Sequence, residues 1–169
     1  MSILSTKRLS LRPLKKATPR QVQWLNDPMV TRYSEQRHHR HSLHSQLNYV
    51  TSFPGMLWGI HLVDTGEHIG NIGAMHDSPN NVADVGLMIG DQSCWGKGFG
   101  FEAWDAACTW LLSRDGGAIR KLEAGCMKVN EPMLRIIKKS RFVLEGERVN
   151  HFLVNGAPVT AVLFGRTQL

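Results

Sequence analysis

The sequence predicts an α/β (α+β) chain built on a mixed, mostly antiparallel central sheet flanked by helices, and three observations predict it. Between Met56 and Ile89, three apolar runs are joined by short turns, the pattern of an antiparallel meander. An apolar run, Val85 to Ile89, leads through a glycine-dense loop, Gly90 to Gly100, into an amphipathic stretch, Phe101 to Leu112. The tail, Phe142 to Phe164, reads as a hairpin about Asn155-Gly156. A chain of 169 residues is the size of one domain, and we expect residues 1–169 to form one.

The elements follow in order. Leu9 and Leu11 alternate with polar neighbours in a first strand ended by Pro13. Thr18-Pro19 starts a short helix through Val22, Trp24 and Leu25, which Asn26-Asp27-Pro28 stops because proline disfavours helical backbone in the residue before it. Ser42 caps a helix through Leu43, Leu47 and Val50, closed by Pro54-Gly55. Strands are expected over Leu57–Val63, Ile69–Met75 and Ala83–Ile89, with turns at Asp64-Thr65-Gly66 and Pro79-Asn80-Asn81. In the helix after the loop, Phe101, Trp104, Cys108 and Leu111 form one stripe, read as core packing, and Asp115-Gly116-Gly117 ends it. Leu122 to Val129 is a strand; Asn130 caps a further helix with Pro132 in its first turn and Leu134, Ile136 and Ile137 towards the core.

Composition narrows the function. At 42% hydrophobic and 20% charged the chain is ordinary globular protein. No apolar run approaches ~20 residues, so no membrane span is expected, and Met1 to Arg8 lacks the apolar core of a signal peptide, which favours the cytoplasm. Cys94, Cys108 and Cys126 are widely spaced and suit a reducing compartment without metal-ligand spacing. The net charge of +6 is scattered, with short clusters at Lys15-Lys16, Arg37 to Arg40 and Lys138-Lys139. That dispersal argues against nucleic acid and suits a surface tuned to an acidic small ligand. His38, His39, His41 and His44 sit among Arg37 and Arg40; without a partner spaced to complete a metal site they read as a basic loop, one that could face an anionic substrate.

The glycine loop carries the chemistry. A P-loop requires Ser or Thr after Gly-Lys, and here Gly98 follows Lys97. A dinucleotide fingerprint requires a third glycine three residues after the second, and Gly100 comes too soon. The remaining readings are a tight strand-to-helix turn and a pyrophosphate cradle made of backbone N–H groups from Gly96 to Gly100 at a helix start.

The loop resembles the acyl-CoA motif of the GNAT N-acetyltransferases, Gln/Arg-x-x-Gly-x-Gly/Ala between strand and helix, with Trp95 at the first position and Gly98 and Gly100 at the small ones. Trp95 followed by Gly96-Lys97-Gly98 is similar to the branch that holds the ribosomal-protein N-terminal acetyltransferases and their small-molecule relatives. The resemblance extends through Trp24-Leu25-Asn26-Asp27-Pro28, Ile69-Gly70-Asn71-Ile72, Asn130 and Lys139-Ser140-Arg141-Phe142, where Arg141 replaces the usual glycine.

The resemblance implies acetyl-CoA as cosubstrate, without a metal, and direct attack by an amine on the thioester. It places the cofactor on Trp95, Gly96, Lys97, Gly98, Phe99 and Gly100, on backbone near Met88 and Ile89, and on Asn130. The amine must be neutral to attack, and Asp84 and His76 are the candidates to take its proton. Many relatives protonate the leaving thiolate with a tyrosine on the helix after Asn130; that position falls at Ile137, and the serine of the N-terminal branch falls at Met133. The expected acceptor is a small anionic amine such as a nucleotide-linked amino sugar, with no nucleic acid or membrane partner and a homodimer as the assembly to test. A protein N-terminus is the alternative acceptor, and a non-catalytic acyl-CoA-binding module the alternative from another class.

Overall fold

The computed structural model describes residues 2–113, 115 and 119–168. Its sheet has eight strands: β1 (Leu4–Ser5), β2 (Leu9–Pro13), β3 (Gly55–Leu62), β4 (His68–Asp77), β5 (Val82–Ile89), β6 (Lys121–Met127), β7 (Val143–Val154) and β8 (Ala157–Thr167). Their order is β1-β2-β3-β4-β5-β6-β8-β7, antiparallel throughout except between β5 and β6. The helices are α1 (Pro19–Leu25), α2 (Pro28–Thr31), α3 (Leu43–Ser52), α4 (Phe99–Leu112) and α5 (Glu131–Lys139), with 3-10 turns at Glu35–His38 and Gln92–Cys94.

Local chemistry explains most boundaries. Thr18 caps α1 with a capping box closed by Gln21, Ser42 caps α3 and Asn130 caps α5, each accepting a backbone N–H that the helix start leaves without a partner. Strand β1 and helix α2 were not anticipated, although Asp27 capping Met29 N–H and Pro28 in the first turn are a legible start signal. Helix α4 begins at Phe99 rather than Phe101 and ends at Leu112. The two glycines of the expected stop at Asp115-Gly116-Gly117 lie outside the described residues.

One face of the sheet carries the main core. Trp58, Ile60, Ile72, Val85 and Leu122 pack there against Trp104, Ala107, Cys108 and Leu111 of α4, all buried. Over the other face, Gln21 of α1 and Gln46 and Tyr49 of α3 line a groove with β4 and β5. Helix α1 is seated by Trp24, whose ring lies on Gly90 so closely that any β-carbon there would meet it at 2.1 Å.

The feature that positions the site is a break in the sheet. Strand β5 pairs with β6 only from Val82↔Lys121 to Asp84↔Glu123, while β6 continues beside β8 to Met127. Beyond Asp84 the two strands part, and backbone that would join a ladder is left open. Gly90 N–H donates to Ile69 O, and His76 N–H to Pro54 O. In antiparallel alternation these bonds put the backbone of Met88 in the β4 ladder and turn that of Leu87 and Ile89 towards the gap.

Candidate active site

The glycine loop closes one end of this gap. Gly96 and Gly98 adopt left-handed backbone, φ +74° and +82°, which a β-carbon would strain. Gly98 stands at the helix cap without a side chain to offer, and the first helical bond runs from Glu102 N–H to Gly98 O. Among the described residues, none of the N–H groups of residues 96–101 meets an acceptor. Gly100 lets α4 approach β5 and α5: a β-carbon there would lie 3.0 Å from Ile136 Cδ1 and 3.4 Å from Leu87 Cδ2. The result is a set of free donors at the positive end of α4, beside the open edge of β5, a chemistry suited to a phosphate anion.

Neighbouring side chains hold the loop. Trp95 Nε1 donates to Ile89 O at 2.8 Å, stapling the loop to the end of β5, so its N–H is not free for a ligand. Arg8 reaches Glu102 at 2.6 Å and Lys97 O at 3.0 Å, and its guanidinium lies 4.5 Å from the Phe99 ring centroid. Arg20 meets Asp91 at 2.5 Å, and Gln92 donates to Asp27 at 2.7 Å. The Lys97 ammonium has no partner among the described residues and is exposed.

On the opposite face from α4, a groove of about 260 Å³ runs between the sheet and the helices, with Asn71, Gly73, Met75, Asp84, Gly86 and Met88 as its floor. Gln21, Gln46, Tyr49, Phe53, Ser34 and Gln36 form its walls. Asp84 is an exposed residue, but the groove atoms packed beside it take away part of the carboxylate's hydration. That loss of hydration, with Glu123 across the last β5–β6 pair, raises its pKa above the ordinary aspartate value.

His76 lies elsewhere. Asp84 pairs with Met75 on the groove face, so His76, one residue on, belongs to the other face with Ala83. Its Nε2 lies 3.2 Å from Asn81 Oδ1, at the β4–β5 turn. Asn130 Oδ1 accepts Met133 N–H as a helix cap, and its Nδ2 has no partner among the described residues. Ile137 is fully buried in the core. Two of the four clustered histidines, His41 and His44, make hydrogen bonds within the fold. His41 is buried, with Nδ1 3.0 Å from Gln46 Nε2 and Nε2 3.2 Å from Gln36 O, and Asn26 clamps its backbone from both sides. No three His, Cys, Asp or Glu side chains gather as a metal site among the described residues.

Sequence reasoning missed the polar groove walls, Gln21, Ser34, Gln36, Gln46 and Tyr49, and the histidine that orients Asn71 on the groove floor. The β3–β4 register shifts between Ile60 and His61, where His61 faces His68 and Ile69 is left unpaired. This bulge brings His68 under Asn71, with His68 Nε2 2.9 Å from both Asn71 Oδ1 and Gly70 O. Two acceptors around one ring nitrogen require that nitrogen to carry a proton, and with Oδ1 so held the Asn71 amide offers Nδ2 as its free donor. Burial lowers the His68 pKa, favouring the neutral ring.

Residues 8–143 match the family model described as Acetyltransferase (GNAT) domain. The chain belongs to that family and is an acetyl-CoA-dependent N-acetyltransferase. Among solved structures it is similar to RimL, the ribosomal L7/L12 alpha-N-protein acetyltransferase, in complex with coenzyme A, with a TM-score of 0.84 and 19% identity over 98% of each chain. It is also similar to a GNAT-family acetyltransferase from Bacillus anthracis, with a TM-score of 0.81 and 16% identity over 99% of each chain. A third is MccE, the microcin C7 self-immunity acetyltransferase, in complex with acetyl-CoA and AMP, at 0.77 and 15% over 96% of this chain and 93% of that one. No curated protein matches the chain by sequence.

Proposed function

We propose that this enzyme acetylates the primary amine of a small, negatively charged acceptor, of the kind a nucleotide-linked amino sugar represents. The observation that carries the acetyl-transfer part of this reading is the parting of β5 and β6 beyond Asp84, which leaves open strand backbone between a groove-floor carboxylate and the uncapped amides of residues 96–101. Acetyl-CoA supplies the activated acyl group when bound. The N–H groups of residues 96–101 and Lys97 would hold its pyrophosphate, and the gap-side backbone of Leu87 and Ile89 would hydrogen-bond its pantetheine as a missing strand would. A backbone N–H aimed at the thioester oxygen stabilises the charge that develops on attack.

The acceptor enters from the groove. Asp84, ionised, takes the proton of the attacking amine directly or through one water, and a raised pKa makes it a better base than an ordinary aspartate. The leaving thiolate needs no strong acid, since a thiol with a pKa of about 8.5 is already a fair leaving group. That fits Ile137 in the place where many relatives have tyrosine. The anionic character of the acceptor is supported by the cations of the Arg32–Arg40 segment and by the AMP in MccE.

Incubation with acetyl-CoA and a panel of amino sugars, their nucleotide-linked forms and short peptides, with free thiol and product mass followed, tests the reading. Thiol release and one added acetyl group on the charged amino sugars are expected. Release on peptides alone would assign the enzyme to protein N-termini. CoA binding without release on any acceptor would leave only a binding module.

A further inference from the structure

We propose that the cavity beside the groove is a phosphate-binding subsite of the acceptor, read by Arg32 and Arg40. The cavity, about 820 Å³, lies between α2, the Glu35–His38 turn and the β7–β8 hairpin, a volume in the range of small-molecule sites. Arg32, Arg37, His38, His39 and Arg40 line it, and among the described residues no acidic one does. Its other surfaces come from Leu25, Pro28 and the hairpin tip at Leu153 to Asn155.

These cations are not equivalent. Arg37 is committed to the fold: Nη1 meets Glu35 at 2.7 Å and Ser34 O at 2.8 Å, and Nη2 donates to Leu153 O at 3.0 Å, strapping the turn to the hairpin. His38 lies 3.8 Å from the same Glu35 carboxylate. Among the described residues Arg32 has aromatic company only, its guanidinium 4.9 Å from the Tyr33 ring centroid and 5.6 Å from that of Trp95. Arg40 is exposed and makes no hydrogen bond or ion pair among the described residues. Two guanidiniums without a counter-charge on one concave wall raise the local potential, and a phosphate accepting their planar N–H groups is the ligand that geometry suits.

The cavity and the catalytic groove share Leu25, and the Glu35–His38 turn divides them, with Gln36 on the groove side and Arg37 and His38 on the cavity side. The proposal seats one acceptor across both, its amine in the groove and its phosphate in the cavity. The groove walls present neutral hydrogen-bonding groups, Gln21, Ser34, Gln36, Gln46 and Asn71, suited to hydroxyls. The acceptor class is thus an amine on a polyhydroxylated body carrying a phosphate or diphosphate. The amine's place in the groove rests on the acetyl-transfer reading above; phosphate binding in the cavity does not.

Calorimetric titration of the intact protein, saturated with CoA so that the donor site is filled, tests the subsite with AMP and with uridine as the uncharged control. AMP should bind alongside CoA and uridine should not, with AMP affinity falling about tenfold or more in Arg40→Gln while CoA affinity and Tm stay unchanged. Arg32→Gln should weaken AMP similarly. In turnover, Arg40→Gln should raise KM for glucosamine 6-phosphate and leave that for glucosamine unaltered, with a nucleotide-linked amino sugar as the diphosphate arm. The proposal is overturned if CoA excludes AMP, if uridine binds as well, or if Arg40→Gln changes neither affinity nor KM. Arginine-dependent AMP binding with no acetylation of any amino sugar would uphold the subsite and sink the acetyl-transfer reading instead.

Discussion

At the scale of single residues, the base assignment is the part most open to measurement. As the proposed base, Asp84 would act only when ionised, so activity should fall as pH drops through its raised pKa, with the acidic limb above the ordinary aspartate range. Glu123→Gln removes the neighbouring repulsion, the lesser of the two causes, and should move that limb to lower pH. Asp84→Asn should lower kcat/KM about 10²-fold or more, and it should not lower Tm. A folded state that raises the pKa of an acid is disfavoured once the acid ionises, so removing that charge leaves neutral-pH stability equal or higher. A fall in Tm with activity retained would mark Asp84 as structural. Asn71 is a different case, since its role depends on His68. His68→Ala frees the amide to turn its oxygen into the groove, and acceptor KM should rise while KM for acetyl-CoA holds; a rise in both would show collapse of the β3–β4 bulge. The position of Asp84 at the start of the loop-bearing strand was legible in the sequence. The separation of His76 from it was not, because it follows from the pairing of Met75 with Asp84 across the turn.

At the scale of elements, the glycine loop divides its residues between conformation and fastening. Gly98 has open space around it apart from Arg8 Nη2 at 3.5 Å, so the cost of Gly98→Ala is mainly that of left-handed backbone, about 1–2 kcal/mol. Gly98→Asn should cost less, and the two together should show CoA affinity following backbone geometry, as read by calorimetry and thermal denaturation. Trp95→Phe keeps the ring beside Arg32 and deletes the bond to Ile89 O, for a loss of about 1 kcal/mol. The pattern Trp24-Leu25-Asn26-Asp27-Pro28, readable in the sequence as a helix end and as a resemblance, now has further reasons. Trp24 lies on Gly90, Asn26 clamps His41, and Asp27 caps α2 while accepting from Gln92. Helix caps and hairpin turns were legible because their causes lie within a few residues. Strand β1 was not, because two residues carry no period and are held by pairing with β2. The parallel β5–β6 contact, on which the gap depends, joins strands on either side of a whole helix, and no local pattern announces it.

At the scale of the whole molecule, two acidic side chains tie distant parts of the chain to the glycine loop, the proposed donor site, and their titration predicts how acid should act. Burial pushes Glu102 up, but hydrogen bonds from Thr6 and from the Arg8 side chain and backbone, with the Arg8 charge, outweigh it and leave its pKa lowered. These contacts fasten the β1–β2 turn to the first turn of α4. Asp91 is lowered chiefly by the Ser93 hydroxyl, against some burial, with Ser93 N–H and Arg20 adding to the effect, and it fastens α1 to the start of the glycine loop. An acid whose pKa is depressed on folding contributes stability that is fully present above its unfolded value and is lost as pH falls through the folded value. With unfolded carboxylates near pH 4, the contribution should hold above about pH 5 and disappear below pH 4. Both groups border the free amides of residues 96–101, whereas the core under α4 is apolar, so acid should loosen the loop before it opens the sheet. Calorimetric CoA affinity should therefore fall at a higher pH than far-UV ellipticity is lost. Glu102→Gln and Asp91→Asn should each weaken CoA binding at pH 7 and flatten its decline in acid. If CoA affinity and ellipticity fall together in the wild type, the loop is no weaker than the core and the two fastenings do not govern the donor site.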